Sequence, residues 1–197
     1  MEAELLIKAL QVIWQALRSM DVPAAVMGGF AMSLWKYPRA TRDVDLLIGI
    51  DASQLDKILT QLRALEIRPK HSPPIISLGQ LNIIQMLYEP HEAFMEVQID
   101  LLLAETDYLR AALERRIPTR LPYIPLEIAV LTCEDLILHK LLAGRIIDRA
   151  DVAALLRLNF ASLDRNYLTH WVNQLQLTAE YTDIWQETFP NEPFPND

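Results

Sequence analysis

Apolar residues recur along residues 2–20 at Leu5, Leu6, Ala9, Leu10, Ile13 and Leu17, the three-and-four spacing of one face of an amphipathic helix. The pattern then shortens. Ala24-Ala25-Val26-Met27 is a continuous apolar run that reads as a buried strand, Gly28-Gly29 ends it, and residues 30–36 return to helical spacing. Residues 43–49 alternate at first, Asp43 and Asp45 against Val44 and Leu46, which predicts a strand with one wet face. Ser53 is expected to cap a helix from about Gln54 to Leu65, and Ile67 opens another extended stretch. Pro73-Pro74 and Gly79 punctuate a loop. Residues 81–87 and 94–103 then read as two strands of a meander joined by the Glu89-Pro90-His91-Glu92 turn. Thr106 to Arg116 predicts a helix. Pro118, Pro122 and Pro125 argue against a central strand nearby, because proline cannot donate to a ladder, although Tyr123 to Leu126 fits a short edge.

The last third is helical. Thr132 with Asp135 three residues on is a capping-box-like start, acids suit a helix N-terminus, and Leu136, Ile137, Leu141 and Leu142 make an apolar stripe. Gly144 ends or bends that helix, and Asp148 is placed as the cap of a second one running to about Leu158. The order of elements is α/β, with residues 1–130 as a mixed core, 131–188 as a helical C-terminal part packed on it, and 189–197 as a Pro-rich tail. No internal repeat or low-complexity linker interrupts it.

Composition narrows the setting more than the chemistry. A chain of 197 residues can bury a sizeable core, either as one domain or as a catalytic domain with a helical extension. Met1-Glu2-Ala3-Glu4 is acidic where an export signal is basic, and no apolar stretch is long enough to span a bilayer, so a soluble cytoplasmic protein without membrane contact is expected. Cys133 is the only cysteine, which excludes an intrachain disulfide, and Cys133, His71, His91 and His139 lack zinc spacing. The net charge of −8 argues against a nonspecific nucleic-acid binder. Its distribution is uneven: Lys plus Arg against Asp plus Glu is 9 to 14 over residues 1–109, 9 to 7 over 110–165 and 0 to 5 over 166–197. The arginines of the middle segment, Arg110, Arg115, Arg116 and Arg120, fit either a shaped RNA or triphosphate site or an ordinary solvated face. Trp14, Trp35, Trp171 and Trp185 are expected to pack in the core or between helices, with Trp35 and Tyr37 also placed to stack a base.

The candidate chemistry lies at Asp43-Val44-Asp45. On a strand the two carboxylates project to one side, where like charges repel unless solvent or a cation intervenes. Magnesium, a hard ion often held by one or two carboxylates and completed by water and phosphate oxygens, suits that pair. The plainer reading is the wet face of an edge strand. Gly28-Gly29 just upstream adds a tight turn at a helix start, where backbone N–H groups favour a phosphate.

Gly28-Gly29, thirteen residues, then Asp43-Val44-Asp45 resembles the signature of the nucleotidyltransferase superfamily with a DNA polymerase β-like catalytic core. Arg39-x-Thr41-x-Asp43-hydrophobic-Asp45 is similar, more narrowly, to the small bacterial and archaeal members that include the AbiEii-like toxins. In that fold a third carboxylate comes from a later strand. Asp100, in Met95-Glu96-Val97-Gln98-Ile99-Asp100 before an apolar run, is the better match, and Glu96 on the same face is the fallback. A second block, Glu134-Asp135-Leu136, Lys140, Arg145 and Asp148-x-x-Asp151, is similar to the downstream segment of the same proteins.

The resemblance implies a mixed-sheet α/β (α+β) polymerase β-like core and a magnesium-dependent transfer of a nucleoside monophosphate from a nucleoside triphosphate. It implies Asp43, Asp45 and Asp100 as metal ligands, and Gly28, Gly29, Arg39, Thr41, Lys140, Arg145, Asp148 and Asp151 around the nucleotide, with Lys140 on the phosphates. The simpler roles stay beside these: Lys140 as a snorkelling surface lysine, Arg145 at a helix C-terminus, Asp148 as a cap. The implied acceptor is a hydroxyl of an RNA, notably tRNA, or of a protein, in a toxin-antitoxin setting with an antitoxin partner. Adenylylation of a small molecule such as an antibiotic, and a non-catalytic module that keeps the fold to bind nucleotide or a partner, are the alternatives.

Overall fold

The computed structural model describes residues 2–120, 124 and 126–192. The chain divides into two compact units, Met1–Phe30 with Ala40–Leu131, and Ala31–Arg39 with Thr132–Asp197.

The first unit is built on a mixed sheet. Among the described residues it has eight strands: β1 (Ala24–Val26), β2 (Asp43–Ile48), β3 (Ile67–Pro69), β4 (Ile75–Leu78), β5 (Leu81–Tyr88), β6 (Val97–Leu103), β7 (Ile117–Arg120) and β8 (Glu127–Val130). Their order is β3-β5-β6-β2-β1-β8-β7, with β4 paired to β5. The two central strands, β2 and β6, run parallel with Asp45 beside Asp100, whereas β1 joins β2 antiparallel and β8 parallel. Both central strands begin with alternation and end in a continuous apolar run. Val44 and Ile99 face the core while Asp43, Asp45, Gln98 and Asp100 remain half-buried; Leu46 to Ile48 and Leu101 to Leu103 are then buried on both sides. This unit's helices are α1 (Glu2–Ser19), α3 (Leu55–Arg63) and α4 (Asp107–Glu114), and α1, whose Leu10, Ile13 and Leu17 are fully buried, packs on β2 and β6. The Trp14 indole donates to the Glu127 carbonyl at 3.1 Å.

The second unit is helical: α5 (Cys133–Ala143), α6 (Ile146–Asn159), α7 (Arg165–Gln174) and α8 (Thr178–Thr188), with most of the short α2 (Gly28–Leu34). Helix α5 starts as expected, Thr132 accepting the Asp135 amide, and ends at Gly144, whose φ of 63° suits the left-handed cap. It is not an amphipathic surface helix, however, since Cys133 to Leu138, Lys140 and Leu141 are all buried. Its acids anchor α7: Glu134 accepts the Asp164 amide at 2.8 Å and Asp135 accepts the Tyr167 hydroxyl at 2.7 Å.

Several expectations are corrected. Ser53 lies in a 3-10 turn over Ala52–Gln54, and α3 begins after Gln54 without a side-chain cap. The loop between Pro74 and Gly79 contains β4, folded back on β5 as a hairpin at Gly79 (φ 62°). Pro118 sits in β7, the terminal strand of the sheet, where a missing donor is tolerated, in keeping with the argument against a central strand there, and β8 is a strand beyond those expected. Within the expected edge Tyr123 to Leu126, residues 123 and 125 lie outside the described residues, as does 193–197 of the tail. No helix among the described residues is long and apolar enough to cross a membrane.

Candidate metal and nucleotide site

Strand alternation puts Asp43 and Asp45 on one face of β2, and the parallel register of β6 sets Asp100 beside Asp45. One carboxylate oxygen from each of the three lies within 4.8 Å of the others, and all three residues are half-buried. Glu96, the fallback, precedes β6, is exposed and stands outside this cluster. The acids are held from behind. Thr41 donates its hydroxyl to Asp43 Oδ1 at 2.7 Å, while Gln98 donates its amide to Asp100 Oδ1 at 3.0 Å and Oδ2 at 3.2 Å. Gln85, on β5, adds a longer contact to Asp100 Oδ1 at 3.4 Å.

Burial raises the Asp100 carboxyl above its ordinary pKa and the charge of Asp43 adds to this, partly opposed by the Gln98 and Gln85 amides and by Lys70. Three converging hard oxygen donors, half-buried and on adjacent strands, fit a divalent cation such as magnesium.

The glycines upstream serve this cluster directly. Gly28 has φ 58° and lies so close to Asp45 that a Cβ there would fall 1.8 Å from Asp45 Oδ2 and 2.9 Å from its Cβ. At Gly29 a Cβ would fall 2.5 Å from the Thr41 Cβ. Contrary to expectation, the pair is not a turn ahead of a helix at residue 30 but the first two positions of α2.

A second constellation lies in the helical unit. Lys140, only 4% exposed, donates to Asp148 Oδ1 at 2.8 Å and pairs with Asp151 Oδ2 at 2.9 Å. Arg39 reaches Asp151 Oδ2 at 3.2 Å, and Arg145 grips Asp148 with Nε at 2.7 Å and a terminal nitrogen at 3.1 Å. Burial opposes ionisation of Asp148, but hydrogen bonds from Arg145 and Lys140 outweigh it and hold its pKa below the usual range. Lys140 is therefore no snorkelling surface lysine. Nor is Asp148 an N-cap: it is the third residue of α6, reaching back to the Arg145 amide in a capping box, and Arg145 begins α6 rather than closing α5.

The family model for the AbiEii nucleotidyl transferase toxin of type IV toxin-antitoxin systems matches residues 16–193. The chain belongs to that family. It is a nucleotidyltransferase of the polymerase β-like type. No curated protein matches the sequence significantly. Among solved structures, an antigenic nucleotidyltransferase-like protein from Paracoccidioides brasiliensis is 19% identical over 97% of this chain and 99% of its own, with a TM-score of 0.53. The antibiotic-resistance factor ANT(2'')-Ia is 14% identical over 95% and 98%, with a TM-score of 0.57. A candidate nucleotidyltransferase from Thermotoga maritima is 15% identical over 80% and 96%, with a TM-score of 0.53. At these identities the likeness establishes the fold.

In this AbiEii-family chain the structure thus brings Gly28, Gly29, Thr41, Asp43, Asp45 and Asp100 together in the first unit, and Arg39, Lys140, Arg145, Asp148 and Asp151 together in the second. Sequence reading missed the pairing of Arg39 with Asp151 and the support of Asp100 by Gln98, Gln85 and Lys70. Gln98 had a visible signal, since it lies two residues before Asp100 on the same strand face.

Proposed function

We propose that the protein transfers a nucleoside monophosphate from a nucleoside triphosphate to a hydroxyl of an RNA, tRNA included, or of a protein acceptor, as the toxin of a toxin-antitoxin pair. The observation that carries the reading is the convergence of Asp43, Asp45 and Asp100 carboxylate oxygens within 4.8 Å on adjacent parallel strands. These three would hold magnesium, which when bound supplies positive charge to the triphosphate and to the displaced oxygen. Asp100 takes the proton of the attacking hydroxyl; the new bond forms from that oxygen to the α-phosphorus as the bond to the β-phosphate oxygen breaks, and pyrophosphate leaves. Thr41 and Gln98 keep the carboxylates aimed, so that the donors need not reorganise during reaction.

Lys140, Arg39, Arg145, Asp148 and Asp151 enter the proposal as residues that support nucleotide binding. In the structure the charges of Asp148 and Asp151 hold the Lys140 ammonium. On this reading Lys140→Arg raises the KM for nucleotide with the fold intact.

The deciding experiment is label transfer from each of the four α-labelled nucleoside triphosphates, with magnesium, into bulk tRNA and into lysate protein, beside Asp45→Ala. Label incorporated only by the wild type names nucleotide and acceptor class. Magnesium-dependent nucleotide binding without transfer turns the search to another acceptor, small molecules included. Absence of both supports the non-catalytic module instead.

A further inference from the structure

The support of Asp100 extends out to the protein surface. Gln98 uses its amide nitrogen on Asp100, at 3.0 and 3.2 Å, and its carbonyl oxygen accepts from Lys70 Nζ at 2.8 Å. A glutamine side chain has a donor end and an acceptor end of nearly the same shape, and left alone it can present either. Lys70 removes the choice. An ammonium carries donors and no acceptor, so it binds the carbonyl end and turns the nitrogen toward Asp100. The backbone of Lys70 is itself fixed, because its N–H donates to the Gln85 carbonyl at 2.8 Å, extending the β3–β5 ladder one residue beyond Pro69. A parallel arm runs through His71 Nε2 to Gln85 Oε1 at 3.0 Å and on to Asp100 Oδ1 at 3.4 Å, and its length makes it the weaker of the two.

We propose that Lys70 is a positioning residue for the transfer reaction, acting through Gln98 by fixing which end of that amide faces Asp100. The inference rests on the reading of Asp100 as a metal ligand, and it deepens that reading by extending the site to an exposed residue with no place in the motifs. It also makes a prediction opposite in sign to simple electrostatics. Judged by charge alone, replacing a cation near a metal site with a carboxylate tightens cation binding. In the relay, Lys70→Glu sets Gln98 between two carboxylates that compete for its nitrogen, and whenever the amide turns to the glutamate its carbonyl faces the Asp100 carboxylate and pushes the ligand out of place. Binding then weakens.

The test uses manganese as the metal probe, with its affinity measured by electron paramagnetic resonance on the full chain for wild type, Lys70→Arg, Lys70→Met, Lys70→Glu and Asp100→Asn. The side-chain amide resonance of Gln98 is recorded for each without metal. Partners of this kind typically influence metal affinity by about 10–100-fold. The expected result is a loss of roughly that size for Lys70→Glu, a smaller loss for Lys70→Met, near wild-type affinity for Lys70→Arg, and unchanged thermal unfolding in all three. The Gln98 amide signal should move both in Lys70→Glu and in Asp100→Asn. Manganese binding that is unchanged or tighter in Lys70→Glu overturns the relay. So does a Gln98 signal indifferent to Lys70. Failure of the metal-site reading looks different, because Asp100→Asn would then bind manganese as the wild type does, while the amide signal still reports the relay.

Discussion

Gly28→Ala separates two roles that a glycine at this point can have. If Gly28 serves only to admit a phosphate to the backbone, a methyl group there leaves the metal-free site undisturbed. The structure says otherwise, because the new Cβ would lie 1.8, 2.6 and 2.9 Å from Asp45 Oδ2, Cγ and Cβ. Rotating Asp45 clears the first two contacts, but the third needs β2 itself to give way, so the carboxylate cannot stay beside Asp100. The backbone adds a smaller penalty: at φ 58° a Cβ costs roughly 1–2 kcal/mol, partly offset by the lower entropy of an unfolded alanine. Gly79 supplies the control, since its φ is 62° and a Cβ there meets nothing within 4 Å. Gly79→Ala should therefore lose on the order of 1 kcal/mol in urea unfolding, and Gly28→Ala more, because the shift of β2 adds the cost of an overpacked contact. Only Gly28→Ala should lose manganese affinity and label transfer as well, by on the order of 100-fold or more, because an outer partner alone is worth about 10–100-fold and here a ligand is displaced. Gly28→Ala with wild-type manganese affinity would refute the spacing argument and return Gly28 to the phosphate.

Four further outcomes are expected. Because burial and Asp43 raise the folded-state pKa of Asp100, its ionisation works against folding; metal-free Asp100→Asn should outlast wild type in urea at neutral pH, converge with it below the ordinary aspartate pKa of about 3.9, and gain less stability from added magnesium than wild type does. Lys140→Met should lose about 3 kcal/mol in the same assay, at the low end for a broken buried ion pair because Arg39 and Arg145 remain on the two aspartates; a loss under 1 kcal/mol counts against the network. The depressed pKa of Asp148 gives the opposite pH sign to Asp100: the advantage of wild type over Asp148→Asn is full above about pH 4 and fades as pH falls through the folded-state value. Cys133 is buried and its thiol is pushed up to about 12, by burial and then by Glu134, so it should resist a thiol reagent at pH 8 until guanidinium unfolds the chain, and rapid labelling of the native protein would contradict its burial.

What was legible in the sequence followed from periodicity. Helix α1, the alternation opening β2 and β6, the α5–α6 hairpin and its Gly144 cap all announced themselves, since each depends on neighbours within a few residues. The elements missed were short and paired with distant partners. β4 lies between two loop signals and is paired to β5, and β8 joins the sheet through a parallel pairing of Val130 with Val26 and through β7. A four-residue strand carries too few positions for alternation to stand out. The misplaced cap at Ser53 has the same origin, because a 3-10 turn precedes α3 and satisfies its start without a serine hydroxyl.

The site divides along the same line. Asp43 and Asp45 meet because a strand has period two, and that is written in two residues. Asp100 meets them through the register of β6, which depends on the whole β2–β6 pairing and only a family resemblance could anticipate. Lys140 makes the limit clearest. Its place in the sequence suited a surface lysine or a phosphate contact, and it is instead closed in by two aspartates from the next helix, one of them also held by an arginine 112 positions earlier in the chain. An i, i+8 lysine–aspartate contact across a helical hairpin has no periodic signature, since it depends on the turn at Gly144 and the capping box at Arg145 directing α6 back along α5. A buried ammonium needs such partners whatever else it does. The Asp148-x-x-Asp151 spacing is then explained in the first place by the lysine it surrounds, and any role for Lys140 toward nucleotide has to be measured beyond that structural one.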